Sequence, residues 1–328
     1  MAREVKNTAA AVRAGLLDLA RKTERDFQSV VTAYALERLL YRLSVSRHKD
    51  RYILRGGLLL AAWLDDPLRG AGGLELLARD SADAAAIAKD FREIVSQPVD
   101  ADGLTFDAPG LRAVTIGEGT RYAGVRVEAA ATLERACVFL RIDIDHGDAV
   151  VPRAAEIDCP TLLKSPAPRL RAYRRETVVA ETLEAIASLG QANSRMTEFH
   201  DLCLLARRFD FDGQMLARAI HTTFRRRQTV LPTGLPEGLT DAFAGRRDVQ
   251  ARWRTLRTAG RLASDIVDFA DCVCEIRRFV GPLLEAMSEP HIALRHWPAG
   301  GPWQQPKAAL LVRPPAEPPR LGRTWPGG

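Results

Sequence analysis

Residues 52–77 constrain the fold more than any other stretch of this chain. They read Tyr52-Ile-Leu-Arg-Gly-Gly-Leu-Leu-Leu-Ala-Ala-Trp63, then a proline-containing loop, then Gly73-Leu-Glu-Leu-Leu77. The apolar run Tyr52–Leu54 predicts a short buried strand, Leu58–Leu64 an apolar helix, and Leu74–Ala78 a second strand. Gly56-Gly57 at the strand–helix junction leaves the backbone bare, so its N–H groups can approach an anion where the helix dipole also favours one. A tight turn with no ligand accounts for the same two glycines equally well. Arg55 precedes the turn and can face either a phosphate or solvent. Residues 73 and 75 are two apart on a strand and share one face.

The rest of the chain surrounds this unit with helices and one further run of strands. Residues 7–43 carry two helical patterns, the first capped by Asn7 and the second built on Val30, Tyr34, Leu36, Leu39, Leu40 and Leu43. Ala82–Ile94 is helical. Over residues 104–145 the period changes to that of strands, with Val125-Arg-Val127 and Val138–Asp145 extending a sheet. Asp143 and Asp145 share a strand face, opposite Ile142 and Ile144. Pro152, Pro160, Pro166 and Pro168 mark a linker. From Glu176 almost to residue 287 the pattern is helical, with caps at Asn193/Ser194 and Asp210/Asp212. Nine of the 19 prolines lie in residues 290–328, and the end of that tail is expected to be disordered.

Composition narrows the class. With 328 residues, 46% of them hydrophobic and 27% charged, the chain can bury a sizeable core. No run reaches the roughly 18 apolar residues of a membrane span, and the expected location is the cytoplasm. The five cysteines are scattered and complete no zinc pattern; they read as reduced, buried thiols. A net charge of +6 suits a polyanionic partner or simply a soluble surface.

In order along the chain stand Tyr34-Ala-Leu-Glu-Arg-Leu-Leu-Tyr-Arg-Leu43, Leu54-Arg-Gly-Gly57, Ile142-Asp-Ile-Asp-His-Gly-Asp148, Pro160-Thr-Leu-Leu163, Tyr173–Glu181, Ser188–Gly190 through Asn193-Ser-Arg-Met196 to Asp201-Leu202, and Trp297–Trp303. Together, over roughly residues 6–304, they resemble the AbiEii/AbiGii toxin family of nucleotidyltransferases, the toxin half of type IV toxin–antitoxin and abortive-infection (phage-defence) pairs. The resemblance implies an α+β fold: N-terminal helices (1–50), a DNA-polymerase-β-like mixed-sheet core (51–160), a large helical C-terminal part (161–288) and a proline-rich tail (289–328). It also implies transfer of a nucleotide from an NTP, with Mg²⁺, onto an RNA such as tRNA or onto a protein, and a cognate antitoxin as partner.

By the same resemblance, Arg55, Gly56 and Gly57 would hold the nucleotide, and Glu75, Asp143 and Asp201 would be catalytic; Asp145 and His146 stand where a small and an aromatic residue are usual, and Glu75, Asp143 and Asp145 form the metal set of a rebuilt site shifted along the sheet. The departures fall at chemical positions. Gly73 and Glu75 stand where an Asp-x-Asp pair is usual, Thr182 where a Lys usually follows Glu181, Glu198 for an Asp and His200 for an aromatic. Glu75 reads as a ligand or as a solvated carboxylate, and Asp143 with Asp145 as part of a relocated site or as strand-end charges. A fold kept while its chemical positions change implies lost or altered catalysis, with a non-catalytic NTP- or RNA-binding module and a structural interaction protein as the rivals.

Among the arginines, Arg225–Arg227, Arg246/Arg247 and Arg252/Arg254/Arg257 read as a stripe facing RNA or as a solvated face. Arg169, Arg171, Arg174 and Arg175 read as cleft residues at the junction between sheet and helices.

Overall fold

A computed structural model describes residues 2–64, 66, 68–69, 72–80, 83–117, 124–260, 262, 266, 268–288 and 295–304. Two helices come first, α1 (Ala2–Thr23) and α2 (Phe27–Val45), then β1 (Tyr52–Arg55), α3 (Gly56–Leu64) and β2 (Leu74–Ala78). Helix α4 (Ala84–Val95) precedes β3 (Leu104–Phe106), β4 (Arg112–Ile116), β5 (Gly124–Leu133), β6 (Ala136–His146), β7 (Ala155–Asp158) and β8 (Arg169–Ala172). The helical part comprises α5 (Arg175–Leu189), α6 (Met196–Arg208), α7 (Gly213–Arg226), α8 (Asp241–Ala244), α9 (Arg247–Thr258) and α10 (Phe269–Ser288). A two-stranded ribbon of β9 (Phe211–Asp212) and β10 (His296–Trp297) closes it.

The main sheet is mixed and eight-stranded, ordered β3-β5-β6-β2-β1-β8-β7 with β4 also on β5. Strands β2 and β6 run parallel, while β1–β2 and β5–β6 are antiparallel. This is the α+β, mixed-sheet architecture expected. The proline-punctuated stretch expected to be a linker instead supplies β7 and β8, and β8 pairs with β1 through Leu54 and Ala172. Prolines are tolerated there because they flank the short strands and interrupt no ladder.

Two apolar cores result. Val127 and Ala131 of β5 and Val138, Leu140, Ile142 and Ile144 of β6 pack with Val30, Tyr34, Leu39 and Phe91 of α2 and α4. The second core gathers Phe199, Leu205, Phe243, Trp253, Phe269, Ile276 and Phe279 from the C-terminal helices, and Leu60 of α3 joins it. The helix between the Gly-Gly turn and β2 therefore ties the two cores together.

Several local expectations change. Helix α1 starts at Ala2, ahead of Asn7. Asp26 caps α2 by accepting from the Ser29 N–H at 2.9 Å, and Asp212 caps α7 by accepting from Met215 N–H at 2.8 Å. Asn193 accepts from the Arg195 N–H in a turn rather than capping α6. Cys159, Cys203 and Cys272 are buried thiols, but Cys137 and Cys274 are exposed, because the strand and helix positions they occupy face outward. The tail beyond Gln304 lies outside the described residues.

Candidate active site

The register of the sheet assembles the site. Arg55 of β1 pairs with Glu75 of β2, Glu75 with Asp143 of β6, and Leu77 with Asp145. Paired residues share a face, so Glu75, Asp143 and Asp145 project from one side of two adjacent strands.

The Gly-Gly turn opens onto the same place. Gly56 has φ +71°, a left-handed conformation that glycine adopts without strain. A Cβ there would lie 2.4 Å from the Glu75 carboxyl carbon and 2.5 and 2.7 Å from its oxygens. The Glu75 carboxylate thus lies directly over the bare Gly56 backbone, and the neighbouring Gly57 N–H favours its ionised form. Helix α3 has no acidic residue in its own first turn, so Glu75 is the anion at that helix N-terminus. As a residue Glu75 is exposed, but its carboxyl tip is folded back against protein. That shielding raises its pKa, Arg55 opposes the rise, and Asp145 and Asp143 add to it.

Each of the other two sheet carboxylates is held by an arginine. Arg126 of β5, directly opposite Asp143 in register, grips it with two bonds, Nε to Oδ1 at 2.7 Å and Nη2 to Oδ2 at 3.1 Å. Arg55 reaches Asp145 at 3.0 Å, Asp148 at 3.4 Å and Glu181 of α5 at 2.8 Å, and its guanidinium lies 5.4 Å from the Tyr173 ring centre. Arg227, just past α7, completes the network with Asp148 at 2.8 Å, Glu184 at 2.9 Å and Glu181 at 3.4 Å. Burial pushes Asp145 and Glu181 up, with Arg55 pulling both down. Asp148 is half-buried, but its bonds to Arg227 and Arg55 bring it below the usual carboxylate range.

Asp201 stands apart from the sheet carboxylates. Arg69 binds it and also bonds His200 Nδ1 at 3.0 Å; His200 is buried, with its ring near Trp253. Glu198, one turn earlier on α6, bridges the two groups electrostatically: burial raises its pKa, Arg195 opposes, and both Glu75 and Asp201 push it higher. The start of α6 therefore lies within electrostatic reach of the sheet carboxylates.

These residues do not fit a two-metal centre. Gly73 offers no ligand, and a Cβ there would meet the Arg141 carbonyl oxygen at 3.1 Å. Asp143 and Asp145 already hold guanidinium groups, and the Glu75 carboxylate is packed against Gly56. Among the described residues, no group of three or more His, Cys, Asp or Glu is arranged to hold a metal ion.

Several members of the site were not legible in advance. Arg227 belonged to an expected surface stripe, yet it is consumed by carboxylates; Arg226 bonds the Gly147 carbonyl, and Arg246 bonds Asp248 and Gln191. Glu181 and Glu184 could have been suspected, since two carboxylates three apart among Val179, Ala180, Leu183 and Ile186 must point into protein. The arginines at the junction do not converge. Arg169 pairs with Glu156 and Arg171 with Asp50, while Arg175 packs its guanidinium on Phe209, 3.9 Å from the ring centre.

The chain is similar to JHP933 from Helicobacter pylori, at 12% identity over 81% of this chain and 92% of that one, with a TM-score of 0.41. It is also similar to a second H. pylori protein described as a nucleotidyltransferase, at 12% identity over 79% and 93%, with a TM-score of 0.40. No curated protein matches. The family model described as the nucleotidyl transferase AbiEii toxin of type IV toxin–antitoxin systems matches residues 38–272. That span is well over half of the 328 residues and contains the Gly-Gly turn, both carboxylate strands and helices α5 and α6, so the chain belongs to the AbiEii nucleotidyltransferase toxin family.

Proposed function

We propose that this chain is a toxin-like member of a toxin–antitoxin or phage-defence pair that acts in the cytoplasm and in which nucleotide transfer is impaired. The observation that carries the reading is the Glu75 carboxylate lodged over Gly56, at the N-terminus of α3. A triphosphate entering the turn must displace an anion the protein supplies itself.

Transfer requires an acceptor hydroxyl oxygen to bond the α-phosphorus of an NTP while the bond to pyrophosphate breaks and the hydroxyl proton passes to a base. Charge builds on the departing pyrophosphate, and cations must neutralise it. Here Arg55 is committed to Asp145, Asp148 and Glu181, and Arg126 to Asp143. Thr182 supplies no charge. Asp143 or Glu75 could accept the proton only after giving up its present partner.

The second reading, a non-catalytic module that still binds NTP or RNA, is favoured by the same contacts, because cations already neutralise the carboxylates. An antitoxin protein and an RNA acceptor such as tRNA are the partners proposed. The test is transfer from radiolabelled NTPs to total tRNA with Mg²⁺ or Mn²⁺, run beside nucleotide and RNA binding. Weak or absent labelling is expected; robust metal-dependent labelling by purified protein overturns the impaired-enzyme reading.

A further inference from the structure

The helical core holds two sulfurs that the sheet site does not use. Cys203 lies on α6 and Cys272 on α10, and both are 0% exposed. Cys272 Sγ donates to the Phe199 carbonyl at 3.4 Å. Phe199 and Cys203 are four apart on α6, so the same carbonyl accepts the Cys203 N–H within the helix. A reciprocal contact runs the other way. Cys203 Sγ donates to Glu275 Oε2 at 3.5 Å, and Glu275 stands one turn past Cys272 on α10. Each thiol therefore reaches the opposite helix within a turn of the other sulfur. What covers them differs. Glu275 accepts from Arg207 through both carboxylate oxygens, and this ion pair is partly open to water, Arg207 at 26% and Glu275 at 29%. The Cys203 thiol thus lies one hydrogen bond beneath the surface, with a carboxylate to take its proton. Cys272 has a neutral carbonyl instead, and burial pushes its thiol well up.

We infer that Cys203 and Cys272 are a redox lock between α6 and α10, closed by hydrogen peroxide, with Cys203 attacking and Cys272 resolving. In the first step the Cys203 proton passes to Glu275 and the thiolate bonds one peroxide oxygen. The O–O bond breaks, and the departing hydroxide takes up the proton and leaves as water. In the second step the Cys272 sulfur attacks the Cys203 sulfenic sulfur. The S–S bond forms, the S–O bond breaks, and the hydroxyl leaves as water with the Cys272 proton. Two thiols are oxidised to one disulfide and one peroxide is reduced to two waters; a thiol reductant reverses the lock. A buried thiol among apolar groups alone is inert, and the Glu275–Arg207 pair is what sets Cys203 apart. The bond fastens α10 to the helix whose first two turns carry Glu198, His200 and Asp201.

The lock is independent of whether nucleotides are transferred. The experiment uses the full chain with Cys137→Ser and Cys274→Ser, because those two exposed thiols would otherwise consume the oxidant. The folded protein is treated with hydrogen peroxide, and its remaining thiols, Cys159, Cys203 and Cys272, are counted in denaturant. Two should be lost together and return with dithiothreitol. Peptide mapping without reduction should show Cys203 joined to Cys272. The oxidised protein should unfold at a higher urea concentration than the reduced one, because the bond closes a long loop in the unfolded chain. Adding Cys272→Ser should stop the reaction at a Cys203 sulfenic acid that dimedone captures, whereas adding Cys203→Ser should leave Cys272 a thiol. The count and the map need neither buried substitution, so they decide the lock even if those variants fold poorly. The inference is overturned if both thiols survive peroxide, if the bond joins Cys159 instead, or if the disulfide forms only in urea. It is equally overturned if the oxidised protein unfolds at lower urea, since the helices would then have to move apart to close the bond.

Discussion

Glu75 is one residue with two possible employments, and its surroundings decide between them. Its carboxylate is packed against the bare Gly56 backbone, away from water. Its raised pKa means that the ionised form is less comfortable in the fold than in the unfolded chain. The associated stabilisation is therefore complete below the ordinary value of 4.5 and is lost as pH rises through the raised value. Glu75→Gln removes that titration. The variant is expected to melt above the wild type at pH 8, with the difference closing as pH falls toward the acid range; a pH series of thermal melts checks it.

Gly73 is the complementary case, a bare position where a carboxylate would complete a pair. Gly73→Asp with Glu75→Asp should create a site whose two acids repel without metal, so its melting temperature should rise with Mg²⁺ or Mn²⁺ more than that of the wild type. The Arg141 carbonyl at 3.1 Å from the new Cβ must give by a few tenths of an ångström. Thr182 is buried in α5, so Thr182→Lys belongs in a separate variant. Equal metal shifts in wild type and double variant would mean that the native carboxylates Glu75, Asp143 and Asp145 bind metal after all.

At the level of elements, the site is held by ion pairs that join strands to helices. Arg227 sits one residue past α7 and pairs with Glu184 of α5, which is 0% exposed, and with Asp148 beyond β6. Breaking one partner of a buried pair strands the other charge, at a cost of about 3–5 kcal/mol. Arg227→Ala is therefore expected to destabilise by that amount in urea titration, and a loss under 1 kcal/mol would show the network to be solvated. Elements also explain what could and could not be read in advance. The strand character of 125–127 and 138–145 was plain from β-branched alternation. The hairpin that sets Arg126 against Asp143 was not, because its two-residue turn is Glu134-Arg135, without the usual Asn-Gly signal, and Glu134 takes φ +52° itself.

For the whole molecule, the two cores meet through α3, and the second is sealed by the C-terminal ribbon. Trp297 is 3% exposed, packs on Phe279 at 4.9 Å and donates its indole N–H to the Ala206 carbonyl at 2.8 Å. Trp297→Ala is expected to cost about 3–5 kcal/mol, measured as a drop in the urea midpoint at unchanged slope.

The chain order of strand, Gly-Gly turn, helix and strand, the α+β class and the outward placing of Glu75, Asp143 and Asp145 all follow from periods of 2 and 3.6 and from glycine's conformational freedom, which are local properties. Which strands become neighbours is not local. The parallel pairing of β2 with β6, some 70 residues apart, is selected by burial of both inner faces against α2 and α4. That pairing, with the β5–β6 register, decides which arginine meets which carboxylate. The sequence alone therefore placed Asp143 and Asp145 on one face of their strand, and only the folded chain brought Glu75 beside them and bound cations of its own to Asp143 and Asp145.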